Sequence, residues 1–326
     1  MKAIISNQYG SPETLDYLDV NKPILEDHQV LVKVHAVSVN YGNLVLLRGK
    51  PYLARLAFGV VKPKYKIPGG DIAGVVESVG KNVSQFQPGD EVYGDLSSSG
   101  WGGFAEYVAV PELAIAHKPT NLSFVEAAAV PMAAVTALQG LRDKGKVKAG
   151  QQVLIYGGSG GVGTFAVQIA KALGAEVTTV CSTSKVDIAK TIGADTVFDY
   201  TKEDFSQRKE RYDVIIGANG YQPIATYKQA LKEKGTFVHV GGSETQMYQV
   251  MLKGPWINLK EKKKMGNFLQ KANQKDLVFM KELIEEGKVK PVIDRQYQGL
   301  GEIPEALNYF EGGHAAGKVV VSVVQS

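Results

Sequence analysis

The chain has 326 residues, of which 44% are hydrophobic and 21% charged, and 37 basic against 33 acidic residues leave a net charge of +4. That length predicts two domains of roughly 100–200 residues each, and so small a positive excess argues against nucleic acid as a main partner. A single cysteine, Cys181, excludes intramolecular disulfides and any metal site built from several cysteines. No run approaches the ~18 uninterrupted apolar residues of a membrane span. The opening segment Met1 to Gln8 enters a strand-like pattern without the basic start and cleavage site of an export signal, so a cytoplasmic protein is expected.

From residue 1 to about 122, short β-branched or alternating runs lie between turn signals: Val30 to Val34, Ile72 to Val76 and Glu106 to Val110, bounded by Pro-Gly-Gly, Pro-Gly-Asp and Gly-Gly. This part reads as β-rich. From about Ser123 to 264, helix-period stretches alternate with continuous apolar runs at Gln152 to Tyr156, Glu176 to Val180, Asp213 to Ile216 and Thr236 to Val240. Runs of that kind fill a parallel sheet covered on both faces, and their alternation with helices predicts an α/β doubly wound domain. The basic run Lys260 to Lys264 reads as a solvated surface segment. Residues 265–326 carry a helix (Asp276 to Glu286), a strand (Pro291 to Tyr297), a second helix (Pro304 to Glu311) and a terminal strand (Lys318 to Val323). Periodicity leaves open whether these extend the sheet or return to the first domain.

The strongest chemical signal follows the run at 152–156: Gly158-Ser159-Gly160-Gly161-Val162-Gly163, then the apolar-periodic stretch Thr164 to Leu173 and a stop at Gly174. This is G-x-G-x-x-G between a strand and a helix. Its glycines allow a tight turn, close approach of a pyrophosphate and close helix–strand packing, while the helix start attracts phosphate. Dinucleotide binding is the expectation. NAD-selective sites place Asp or Glu at the end of the second strand to hold the ribose 2′-hydroxyl. Here that strand ends Val180-Cys181-Ser182-Thr183-Ser184-Lys185, with no acid before Asp187. Ser182, Ser184 and Lys185 could instead hold a 2′-phosphate, which favours NADPH; alone, Lys185 reads more readily as an ordinary helix-surface lysine.

These residues resemble the medium-chain dehydrogenase/reductase superfamily, specifically its zinc-independent quinone oxidoreductase branch. The likeness runs along nearly the whole chain, through Met1-Lys2-Ala3, Val39-Asn40, Pro68 to Gly80, Pro88 to Gly94, Gly103 to Tyr107, the glycine loop and Gly317 to Val320. It implies a Rossmann domain inserted in a GroES-like β-rich catalytic domain that the C-terminal part completes, with an active-site cleft between the two and a homodimer. The resemblance adds Tyr200 to Lys185 as a contact on the 2′-phosphate side. It places Asn40 against nicotinamide and substrate, Thr136 near the nicotinamide, Gly241, Gly242 and Ser243 along the nicotinamide half, and Asn219 near the ribose. Where zinc-dependent members keep Cys, His and Cys, this chain has Asn40, Gly70 and Met132, none a usual zinc ligand. His28, His35, His117, His239 and His314 show no ligand spacing.

The chemistry implied is hydride transfer from NADPH to a quinone or an α,β-unsaturated carbonyl. A reductase of 2-enoyl thioesters and a non-catalytic NADPH-binding sensor are the alternatives. Several relatives carry a tyrosine five residues after the asparagine, where this chain has Val45; Tyr52 matches the proton-donating tyrosine of some enoyl reductases. The apolar segment Lys50 to Lys66 is expected to wall or cover the acceptor site, or else to pack against the other domain or a partner subunit.

Overall fold

A computed structural model describes residues 1–207 and 209–324. In chain order the strands are β1 (Lys2–Ile5), β2 (Asp16–Asp19), β3 (Gln29–Val39), β4 (Asp71–Val79), β5 (Glu91–Asp95), β6 (Tyr107–Pro111), β7 (Ile115–His117), β8 (Gln152–Tyr156), β9 (Glu176–Cys181), β10 (Thr196–Asp199), β11 (Tyr212–Gly217), β12 (Leu231–His239), β13 (Lys264–Asn267), β14 (Ile293–Gln298) and β15 (Lys318–Ser322). They fall into two units. The first holds Met1–Met132, Lys271–Glu285 and the chain from Ile293 onward; the second holds Ala133–Gln270 and Glu286–Val292.

In the first unit the sheet order is β14-β15-β3-β4-β5-β7, with β6 also paired to β3 and β1-β2 forming a separate antiparallel pair. Strand β3 is central because its β-branched residues Val30, Val32, Val34, Val37 and Val39 are all fully buried and need partners on both edges. Strand β15 supplies one of those partners, antiparallel, with Val319 opposite Val39 and Val321 opposite Val37. The question left open by periodicity is thus resolved by splitting the C-terminal segment: β13 extends the second unit's sheet, whereas β14 and β15 complete the first.

The short helix Phe124–Ala128 also belongs to the first unit, although a boundary at 122/123 was expected. Ser123 caps it through a reciprocal box with Glu126, and the Phe124 ring packs at a tilt of 37° against His35 of β3, 4.4 Å between centroids.

The second unit is a doubly wound parallel sheet of order β10-β9-β8-β11-β12-β13, with the helix Gly161–Ala172 joining β8 to β9. Val153, Leu154 and Ile155 are fully buried, as a strand covered by helices on both faces requires. The helix Glu244–Lys260 between β12 and β13 had no counterpart in the sequence reading, because Gly254 and Pro255 interrupt its pattern. Among the described residues no helix is long and apolar enough to cross a membrane.

Candidate active site

In the second unit the sheet order changes direction at β8, whose neighbours β9 and β11 lie on opposite sides; the carboxyl ends of strands at such a point form the usual ligand crevice of an α/β sheet. Three turns converge there. A Cβ on Gly157, whose φ is +84°, would lie 2.7 Å from the Cβ of Asn219, and one on Gly242 would lie 2.9 Å from the carbonyl oxygen of Gly220. Backbone therefore packs on backbone, bringing Gly158–Gly163, Asn219 and Gly241–Ser243 together. Asn219 accepts from the Gly220 N–H at 2.8 Å, and the Val240 N–H donates to Gly217 at 3.0 Å.

The glycines of the loop differ in what surrounds them. A Cβ on Gly163 would meet the Gly157 oxygen at 2.1 Å, and one on Gly158 the Thr179 hydroxyl at 1.7 Å. Those two are demanded by the protein's own packing. At Gly160 the nearest atom would be 3.8 Å away, so nothing in the protein requires a glycine there. Gly160 caps the helix start, where the first N–H groups lack intrahelical acceptors. An open glycine beside free donors fits a dinucleotide pyrophosphate. Ser159 is buried in the same turn.

The next two strand ends carry the remaining cofactor candidates. Ser182 begins the single turn Thr183–Lys185, its hydroxyl 3.4 Å from that of Ser184, and the Lys185 N–H donates to Ser182 at 2.9 Å. Tyr200 follows β10 with 59% of its surface exposed and is tied to β9 by a 3.1 Å bond from its N–H to the Cys181 oxygen. Asp199, missed in the sequence reading, binds the two loops together. It accepts from the Thr183 hydroxyl at 2.6 Å and from the Thr201 hydroxyl at 2.7 Å, and these bonds hold its carboxyl down at about 2. Thr136 is buried on the helix Pro131–Gln139.

In the first unit Asn40, 6% exposed, directly follows β3. Its backbone N–H donates to the Asn43 side chain at 2.7 Å. Its amide nitrogen donates to Asp71 at 2.8 Å, and its amide oxygen accepts from Lys318. Asp71 also accepts from the Ser38 hydroxyl at 2.8 Å and from the Met132 N–H at 3.0 Å. Burial pushes the Asp71 carboxyl upward against the pull of Lys318, and Asp95 adds to the rise; burial pushes the Lys318 ammonium downward.

Position 70 is closed. A Cβ on Gly70 would meet the Met132 methyl at 3.0 Å and the Trp101 ring at 3.2 Å, so thioether and indole fill the space that a ligand at 70 would need. The donors present do not suit zinc, and among the described residues no group of three or more His, Cys, Asp or Glu could hold a metal. Trp101 is a further residue missed in the sequence. Its φ of 62° is a conformation rare for a bulky side chain and a mark of functional or packing constraint; only its glycine-rich setting, Gly100 to Gly103, hints at it.

Tyr52 sits at the surface, 68% exposed, its ring 5.1 Å from the Arg55 guanidinium. The segment from Lys50 to Lys66 reaches inward through Phe58, which packs edge-on against Trp101 at 6.2 Å. Its Leu53, Leu56, Val60 and Val61 are exposed.

A Rossmann unit joined to a GroES-like unit defines the medium-chain dehydrogenase/reductase class. Residues 26–120 match the alcohol dehydrogenase GroES-like domain family, and residues 192–321 match a family described as zinc-binding dehydrogenase. The chain is 35% identical over 331 residues to a 2-methylene-furan-3-one reductase of Solanum lycopersicum, covering 98% of this chain and 79% of the relative. With the same coverage it is 34% identical to an Arabidopsis thaliana NADPH-dependent alkenal/one oxidoreductase of the chloroplast. The structure of the quinone oxidoreductase from Coxiella burnetii superposes with a TM-score of 0.86 at 32% identity, covering 99% of both chains. The chain belongs to the zinc-independent quinone oxidoreductase branch of the superfamily.

Proposed function

We propose that this protein is an NADPH-dependent oxidoreductase that reduces a quinone or an α,β-unsaturated carbonyl without zinc. The observation that carries the proposal is an open cradle at Gly160 in a chain whose metal-ligand positions hold Asn40, Gly70 and Met132. Relatives named for quinone, alkenal/one and methylene-furanone substrates support the same acceptor class. When bound, NADPH supplies the hydride, the difficult step of the reaction.

The chain's own residues bind and orient. Backbone N–H groups of Gly158 to Gly163 receive the pyrophosphate, and Ser182, Ser184, Lys185 and Tyr200 receive the 2′-phosphate. Asn219, Gly241, Gly242, Ser243 and Thr136 serve the nicotinamide half. Asn40 donates a hydrogen bond to the acceptor oxygen, where charge develops, and Tyr52, open to solvent that can reprotonate it, supplies the proton that must accompany the hydride. A homodimer and a cytoplasmic location complete the proposal.

The test is a steady-state comparison of a benzoquinone, a small enone and a crotonyl thioester, each with NADPH and NADH. Faster turnover of quinone or enone with NADPH is the expected result. Preference for the thioester would make the protein an enoyl reductase, and NADPH binding without oxidation by any acceptor would make it a sensor.

A further inference from the structure

Asn40 is held by two buried, oppositely charged side chains. Lys318 Nζ lies 3.8 Å from Asp71 Oδ2, with side-chain exposures of 2% and 0%, and each touches a different end of the same amide. The amide oxygen faces the ammonium, and the amide nitrogen faces the carboxylate at 2.8 Å. An ammonium can only donate and a carboxylate only accept. Rotating the amide by half a turn would set NH₂ against NH₃⁺ and C=O against COO⁻. The two charges thus read the polarity of the amide and admit one orientation. In it the oxygen is engaged, and the amide nitrogen donates to Asp71 at 2.8 Å and, in a longer contact of 3.4 Å, to the Ser38 hydroxyl; the longer of the two is the contact that a ligand oxygen can replace.

A merely structural ion pair does not need this arrangement. Lys318 also donates to the Val39 oxygen at 3.2 Å, and Asp71 already has Ser38 and the Met132 N–H, so both charges have neighbours besides Asn40. Taking two charges out of water is costly, and such pairs are often no more stabilising than apolar residues of the same volume. We infer that Lys318 and Asp71 are positioning residues of the reaction, orienting Asn40 so that a single amide N–H is presented to the acceptor oxygen. This rests on the role given to Asn40 above.

The test uses the full-length protein and three variants: Asn40→Ala, the charge-free double variant Lys318→Met/Asp71→Asn, and their combination. The double variant is expected to melt with wild-type cooperativity and to bind NADPH with unchanged affinity. Its kcat for enone or quinone should fall on the order of 10- to 100-fold, the size of effect a misplaced group produces. Because the pair acts through Asn40, the combined variant should be no slower than Asn40→Ala, a non-additivity that separate roles would not give. Wild-type kcat in the double variant, additive losses in the combination, or a double variant that fails to fold would each overturn the inference. If Asn40→Ala itself turns over normally, the catalytic reading of Asn40 fails and takes this one with it. A slow Asn40→Ala beside a fast double variant would remove only the role of the pair.

Discussion

In the proposed site, Lys185 is the one full positive charge offered to the 2′-phosphate. A hydrogen bond from an ammonium to phosphate is worth about 1.5–3 kcal/mol, and NADH lacks the phosphate. Lys185→Ala is therefore expected to weaken NADPH about 10- to 100-fold while leaving NADH nearly unchanged, as measured by titration of each cofactor. His239 makes a second prediction at this scale. Its ring is buried near the end of β12 with Nδ1 unpartnered, and burial pushes its pKa down to about 4. In the unfolded chain an imidazole titrates near 6.5. Between those values the unfolded state binds the proton that the folded state refuses, so stability falls as pH drops from about 6.5 to about 4. His239→Phe should remove this part of the pH dependence, on the order of 3 kcal/mol across the window, in denaturant melts at the two pH values. Lys185 became a candidate only in company, from the serines beside it and the lack of an acid before Asp187; Asp199 and Trp101 offered no such local signal, since each acquires its meaning from residues that only folding brings near.

Among the elements, the glycine loop separates what the protein needs from what the ligand needs. Gly163→Ala forces a methyl to within 2.1 Å of the Gly157 oxygen and should cost about 1–3 kcal/mol of stability. Gly160→Ala meets no atom closer than 3.8 Å, and its φ of −85° suits alanine. Its melting temperature should match wild type, while the methyl occupies the pyrophosphate's approach and weakens NADPH by a similar energy, roughly 5- to 150-fold. Thermal melts and cofactor titration of the two variants check the contrast, and equal losses of stability would count against it. The strands and helix flanking this loop were readable from period and composition. The helix Glu244–Lys260 was not, because Pro255 lies inside it and proline ordinarily ends a helical pattern; the packing of Gly254 against the Met265 oxygen, 2.8 Å from where a Cβ would sit, holds that helix on β13.

For the whole molecule, absence of zinc ligands predicts that chelators leave kcat unchanged. Turnover measured before and after prolonged treatment with a strong chelator is the check, and a loss restored by added zinc would contradict the donor chemistry of Asn40, Gly70 and Met132. The sequence by itself determined the α/β class, the glycine loop and the missing metal ligands, because periodicity, local turn chemistry and residue identity are written in neighbouring positions. The family resemblance implied that the C-terminal part completes the first domain, but only the tertiary structure decided that β15 pairs with β3 and sets Lys318 against Asn40, 278 residues away. Strand pairing is chosen by burial of both faces of β3, and no local pattern records which distant strand will satisfy it.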